Sequence, residues 1–328
     1  MQLDSFVRMR KTFATRILVM ITVAIGCATA SLDVAAQDNL DQVKSLDIRE
    51  IAPGVYAHQA PVTLMDAASR GDIANIGFIV GDDAVAVIDT GGAVSIGRGL
   101  LKAIKAITDK PIRYVINTHE HPDHVFGNAA FDFAGVTFVG HKNLPHALTE
   151  RGPHYIETLR HDMGDALLKD VRLIVPTLLV DHEMRLDLGH RLILLQAWPP
   201  MHTDCDLTIL DETTSTLFAG DLLFLQHVPV IDGSVIGWLK SMDALSHIPA
   251  RRVVPGHGPI GVDWPQALEA EKTYFLKLTQ DLRGLINKGA DINTAAHEAG
   301  QSEAGKWQLF SAYNPRNATT AYAELEWE

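Results

Sequence analysis

Cysteine is nearly absent from this chain of 328 residues, with only Cys27 and Cys205 present. Cys27 lies in a stretch with the marks of a cleaved leader. Cys205 is then left alone, and no intramolecular disulfide can form. An exported protein without disulfides must rely on its core and on bound metal. Basic clusters are also missing from the body of the chain, and the formal charge is −12. That balance excludes nucleic acid as the default partner, and the acidity is read as a solubility feature. No repeat is visible by motif, and no Ser-His-Asp arrangement offers a rival nucleophile. What is there is 47% apolar residues, enough for a real core in one large domain or two small ones.

The N-terminus carries Arg8, Arg10, Lys11 and Arg16, then the apolar run Ile17 to Ile25, then Ala28-Thr29-Ala30 and Val34-Ala35-Ala36 as cleavage sites. This is the order of a secretory signal, and the apolar run is too short for a comfortable membrane span. Residues 1–36 are expected to be a signal peptide and 37–47 a polar linker, in a periplasmic or secreted protein with no stable transmembrane span after cleavage. An uncleaved anchor is the alternative. A lipoprotein using Cys27 is disfavoured, because Ala24 stands where Leu is usual.

The chemistry concentrates in Thr118-His119-Glu120-His121-Pro122-Asp123-His124. It follows Ile112 to Asn117, whose β-branched and aromatic residues read as a buried strand. Asp123 is a good N-cap, so a helix is expected to begin there. Side chains at the end of a strand project into the crevice where α/β folds place their ligands. Histidine and aspartate suit zinc and its neighbours among the divalent ions, and four such residues in an H-x-H-x-D-H spacing form a specific signal.

This motif resembles the signature of the metallo-β-lactamase superfamily. The remaining landmarks follow in family order: Val87-Ile88-Asp89-Thr90-Gly91, Met201-His202-Thr203-Asp204, Ala219-Gly220-Asp221, and Pro255-Gly256-His257-Gly258. The resemblance implies an αββα sandwich of two mixed β-sheets flanked by helices. It implies that His119, His121 and His202 hold one metal, that Asp123, His124 and His257 hold a second, that Asp221 bridges them, and that Asp89 buttresses the site. Two zinc ions are the expected cofactors, with iron or manganese as alternatives. Asp123 is the candidate catalytic residue, orienting a bridging hydroxide or shuttling its proton.

Residues 48–262 are expected to form the metallo-β-lactamase-like domain and 263–328 a helical extension packed on it. Within the domain, Pro53-Gly54 marks a turn into a strand, and Gly81-Asp82-Asp83 marks a hairpin. Leu64 to Ala74 is expected to overhang the site as a loop. Ser95 is expected to cap a helix with Ile96, Leu100, Leu101, Ile104 and Ile107 on one face. Residues 141–170 read as less regular, and their His141, His146, His154 and His161 as surface or core histidines, with His141 or His154 near the pocket. Strands are expected from Val171 to Phe224, a helix over Ile236 to Leu245, and a strand at Arg252 to Val254. Asp263 with Gln266 resembles a capping box opening a helix that Gly289 ends. Another helix and an irregular end are expected over Ala290 to Glu328.

The resemblance implies hydrolysis of an ester, thioester, lactone or amide-type bond in a small molecule. The leader, Asn75 to Gly81, and the ending Tyr313-Asn314-Pro315-Arg316-Asn317 through Trp327-Glu328 are most similar to the periplasmic zinc metallohydrolases of quinoprotein relay systems. A quinoprotein dehydrogenase is the partner this implies. Three alternatives stay open: a class B-like β-lactamase, an iron-dependent sulfur dioxygenase, and a non-catalytic, metal-stabilised accessory module. Asp221 separates the first, since β-lactamases of this superfamily usually carry Cys or Ser there.

Overall fold

Strands buried on both faces need cover on both sides, and this chain has several. All four residues of β4 (Val85–Ile88) are buried, as are all nine of β11 (Thr216–Phe224). A computed structural model describes residue 40 and residues 42–328, and Ser45–Glu328 forms one unit. The expected signal segment, 1–36, lies outside the described residues, as do 37–39 and 41 of the expected linker.

The first sheet has seven strands in sequential order: β1 (Arg49–Ala52), β2 (Val55–His58), β3 (Ile76–Val80), β4, β5 (Ile112–Ile116), β6 (Thr137–His141) and β7 (Leu178–Val180). Its first four strands pair antiparallel and its last four parallel. The second sheet has the order β13 (Val262–Asp263), β12 (Arg252–His257), β11, β10 (Leu207–Asp211), β9 (Leu192–Ala197), β8 (Glu183–Asp187), with β11 and β12 its parallel pair. Ile79, Ile88, Ile116 and Val139 from the first sheet meet Leu195, Ile209, Phe218 and Val254 from the second in one buried cluster. The other face of the second sheet packs Leu217, Phe224 and Val253 against helices α5 (Val235–Ser246), α6 (Leu268–Asn287) and α8 (Phe310–Leu325). Helix α1 (Val94–Ile107) makes the crossover between parallel β4 and β5, burying Leu100, Leu101 and Ile104. The architecture is the expected four-layer αββα sandwich.

Several local expectations change. Helix α1 starts at Val94 with Ala93 as its uncapped N-cap, and Ser95 Oγ has no hydrogen-bond partner. The helix after the motif, α2 (Pro122–Val125), is capped two residues early, with His121 and not Asp123 at the N-cap and Pro122 at the first position. Proline lacks the N–H that a first turn leaves unused. Residues 144–163, read as irregular, form the twenty-residue helix α3 (Leu144–Met163), followed by α4 (Asp165–Leu168). Pro153 and a thin apolar stripe hid it. Asp263 lies in β13, so α6 begins only at Leu268, and Gly289 follows its end at φ +74°. The tail holds two helices, α7 (Ile292–Glu298) and α8, rather than one and an irregular end. Among the described residues no helix is long and apolar enough to cross a membrane.

Candidate metal centre

Strand register brings the scattered motifs to one place. Ile88 on β4 pairs with Ile116 on β5, so Asp89 and Thr118 leave the sheet side by side. Asp89 takes a left-handed turn at φ +54° and accepts from the Thr118 amide at 2.8 Å, the Thr118 hydroxyl at 2.7 Å and His124 Nδ1 at 2.8 Å. In the second sheet the β11–β12 register shifts at Gly220, which swings Asp221 toward Gly256 and His257. A Cβ on Gly256 would lie 1.8 Å from Asp221 Oδ1. Only glycine lets that carboxylate in.

Five imidazoles then behave alike: each spends one nitrogen on an outer acceptor and turns the other inward. His119 Nδ1 donates to Thr118 Oγ1 at 3.0 Å, His124 Nδ1 to Asp89, His202 Nδ1 to the Val230 carbonyl at 2.8 Å, and His257 Nδ1 to the Ile73 carbonyl at 2.9 Å. His121 is reversed, giving Nε2 to Asp232 at 2.9 Å and presenting Nδ1. An outer partner of this kind sets tautomer and ring orientation in metal-binding histidines.

The inward atoms form two groups. His119, His121, His202 and Asp221 are one, and Asp123, His124 and His257 the other, each with its donor atoms within 4.8 Å of one another. His202 Nε2 lies 3.2 Å from His119 Nε2 and 2.9 Å from His121 Nδ1. The His119 and His202 Nε2 atoms have spent their ring protons outward and have none to share, and their spacing is close to the roughly 3.4 Å between tetrahedral donors on zinc at a bond length of about 2.0–2.1 Å. Asp221 spans both groups. Its Oδ2 is 3.3 Å from His202 Nε2 and 3.4 Å from His257 Nε2, and its Oδ1 is 3.1 Å from His124 Nε2. Asp123 Oδ2 is 3.3 Å from His257 Nε2.

Two atoms at the centre are buried with no hydrogen-bond partner: His124 Nε2 and Asp221 Oδ1. Orphaned polar atoms of this kind are rare in folded proteins, and here both belong to ligand-type groups facing each other. The residues fit a pair of divalent cations. Burial works to raise the Asp221 carboxyl, but the His257 and His124 rings override it and hold it well below the usual carboxylate range. Asp123 is held at about 2, with burial opposed chiefly by His124. Burial lowers His119 and His202 into the neutral form a metal requires. His121 resists burial through its bond to Asp232 and rises to about 9, so a proton leaves it when a cation arrives.

The centre opens into a cavity of about 290 Å³. Met65 and Ile73 of the expected overhanging loop line it, as do Leu159, Phe224 and Val230, while Tyr155, His227, Tyr313 and Arg316 supply polar groups. His154 reaches this cavity; His141, His146 and His161 do not, and none of the four joins a donor group among the described residues. Cys205 is buried, as expected, and its thiol donates to Glu120 Oε2 at 2.8 Å. Glu120, Asp204 and Cys205 make a third donor group, but the Arg151 guanidinium already pairs with both carboxylates. Asp232, His227 and Arg316 were missed as site residues. Asp232 and His227 sit in irregular chain with no pattern to flag them, while Arg316 stood in a recognised stretch without a role.

A four-layer sandwich with two buried His/Asp donor groups at its strand ends, open to a cavity, is a fold and donor set suited to holding metal ions at a binding site. The family model of the metallo-beta-lactamase superfamily matches residues 69–257, more than half of the chain, and the chain belongs to that superfamily. A linear primary-alkylsulfatase of Pseudomonas sp. (strain ATCC 19151) is 40% identical over 54 residues, 16% of this chain and 10% of that protein. The solved stereoselective inverting sec-alkylsulfatase of Pseudomonas sp. superposes with a TM-score of 0.67 at 17% identity, over 89% of this chain and 54% of that one. This chain thus spans about half its length. A metallo-beta-lactamase from Pontibacter korlensis superposes with a TM-score of 0.58 at 19% identity, over 71% of this chain and 99% of that one. At such identities the structural likeness shows the fold alone.

Proposed function

We propose that this chain is a hydrolase with two divalent metal ions, zinc in the first instance, held by His119, His121 and His202 on one side and Asp123, His124 and His257 on the other, with Asp221 between them. The observation that carries this reading is the Asp221 carboxylate, buried, held ionised and set between the two groups, with Oδ2 near both His202 and His257 and Oδ1 near His124. Two such ions supply an acidified water and a counter-charge for a developing oxyanion. The chain's own residues do the rest. Asp221 offsets the repulsion between two cations. Asp123, at the cavity wall, orients the nucleophile or takes up its proton and returns it to the leaving group. The apolar wall of Met65, Leu159 and Phe224 excludes water and receives the non-reacting part of the substrate.

The bond broken is an ester, thioester, lactone or amide-type bond. A second reading, an alkyl sulfate ester, is favoured by the likeness to alkylsulfatases together with Arg316, an exposed cation on the cavity rim that lies 3.8 Å from Asp232. Export and service to a quinoprotein dehydrogenase belong to the same proposal, and rest on the N-terminal pattern and the motif resemblance. The test is a panel of carboxylic ester, thioester, lactone, β-lactam and alkyl sulfate substrates with metal-loaded full chain. Turnover of an ester class that Asp123→Asn abolishes is the expected result. No turnover on any substrate with both sites filled, alongside binding to a dehydrogenase, would establish the accessory-module alternative instead.

A further inference from the structure

Asn317 stands in the middle of α8, fully buried, and spends its side chain on a loop of the metal centre. Its Oδ1 accepts from the Ile231 amide at 3.0 Å, and its Nδ2 donates to the Pro229 carbonyl at 2.6 Å and to Tyr274 Oη at 2.9 Å. The Ile231 N–H and the Val230 C=O are two edges of one peptide plane, and that plane is rigid. Holding the N–H therefore aims the carbonyl, and the Val230 carbonyl is the acceptor that sets His202 Nδ1 at 2.8 Å. One residue further on, Asp232 receives His121 Nε2 at 2.9 Å, and its own amide returns to the His202 carbonyl at 3.0 Å. Helix α8 secures the far end of the loop as well: Glu324 accepts from the Ser234 hydroxyl and, at 2.9 Å, from the Val235 amide.

We propose that Asn317 is a positioning residue for the metal centre, holding the 230–231 peptide so that His202 and, through Asp232, His121 turn their inward nitrogens to the metal. The C-terminal helix is in this sense part of the site and not only cover for the second sheet. The proposal rests on the two-metal reading above, and the experiment separates the two. Zinc affinity is measured by competition with a chromophoric chelator on the full chain, for the wild type, Asn317→Ala, the volume-matched Asn317→Leu, Asn317→Asp and Asn314→Ala. Asn314 is an equally buried amide in the same helix that bonds Tyr274 and the Ala299 carbonyl and does not touch the loop. The expected result is one zinc ion bound about 10–100-fold more weakly in Asn317→Ala and Asn317→Leu, the range seen for outer partners of ligands. Asn314→Ala should bind as the wild type does despite a comparable fall in Tm. Asn317→Asp keeps an oxygen for Ile231 but loses the donor to the Pro229 carbonyl, so it should recover affinity only as pH falls and the acid can donate. Nitrogen-15 NMR of the metal-free wild type should show His202 as the Nδ1–H tautomer, with a mixture in Asn317→Ala. Unchanged zinc affinity in the Ala and Leu variants overturns the proposal, as does an equal loss in Asn314→Ala. If those variants do not fold, an Nε2–H tautomer of His202 in the wild type overturns it. A wild type that binds no zinc sinks the two-metal reading instead.

Discussion

Asp221 is the residue on which the centre turns, because its carboxylate lies against histidines of both groups, Oδ2 near His202 and His257 and Oδ1 near His124. Asp221→Asn keeps the shape and removes the charge between two cations. Weaker binding of the second ion and a loss of turnover of at least about 10–100-fold are expected, since outer partners of ligands alone cost that much. The fold should remain and the first ion should still bind, because His119, His121 and His202 keep their outer partners. Elemental analysis and circular dichroism of the variant check both. Cys205→Ser is the contrast. Its thiol donates to Glu120, between two ligands in sequence, and a serine hydroxyl can donate there too. Metal content and rate should stay near wild type. A metal lost from Cys205→Ser but kept in Asp221→Asn would contradict the donor set.

At the scale of elements, the strands that carry the site were legible and the segments that brace it were not. Strand β5 and the hairpin β3–β4 were visible because buried strands leave apolar runs bounded by turn residues. The seven donors were visible because motif spacing survives in sequence. Helix α3 was hidden by Pro153 and by a face that buries little beyond Leu144, Ala147, Leu148 and Met163. Asp232 and the Asn317 bridge were invisible for a different reason. Their meaning comes from contacts between positions 86 residues apart or more, as with Ile231 and Asn317, which no local pattern records. Glycine at 256 shows the same limit. It reads as part of a motif, while its reason is the carboxylate lying where its Cβ would be. Gly256→Ala should therefore push Asp221 away, costing about 1–3 kcal/mol of stability as overpacking in a tight core does, and removing the second metal. Chemical denaturation and metal analysis of the purified variant read the two effects separately. A variant of wild-type stability and metal content would show that Asp221 does not depend on that gap.

Across the whole molecule, pH enters in part through a buried acid that is not itself a donor but feels the Asp221 charge. Glu271 on α6 is fully buried and accepts the Phe224 amide at 3.0 Å through one oxygen, while the other has no partner. Burial raises its carboxyl well above the ordinary glutamate range, so the folded protein holds this proton to a higher pH than the unfolded chain does. The unfolded chain releases it near the ordinary glutamate value of about 4.3. Above that pH the folded state binds more protons than the unfolded one, and stability falls as pH rises until the folded group also ionises. Glu271→Gln keeps an acceptor for Phe224 and cannot ionise, so its stability should decline less over the same range. Denaturation curves at several pH values between 5 and 8, on a ~1-unit grid, compare the slopes. Equal slopes in wild type and Glu271→Gln would assign the effect elsewhere.

The central claim is that the two donor groups hold two metals at once. Ions that bind only the folded state also stabilise it by mass action, by about 2.7 kcal/mol at a hundredfold excess over Kd, so a chelator should lower Tm. Stoichiometry is the more direct reading. Elemental analysis of the full chain, purified mildly and then equilibrated with excess zinc and desalted, should find two divalent ions per chain. A value that stays at or below one under zinc saturation would contradict a centre built from His119, His121, His202, Asp221, Asp123, His124 and His257 together.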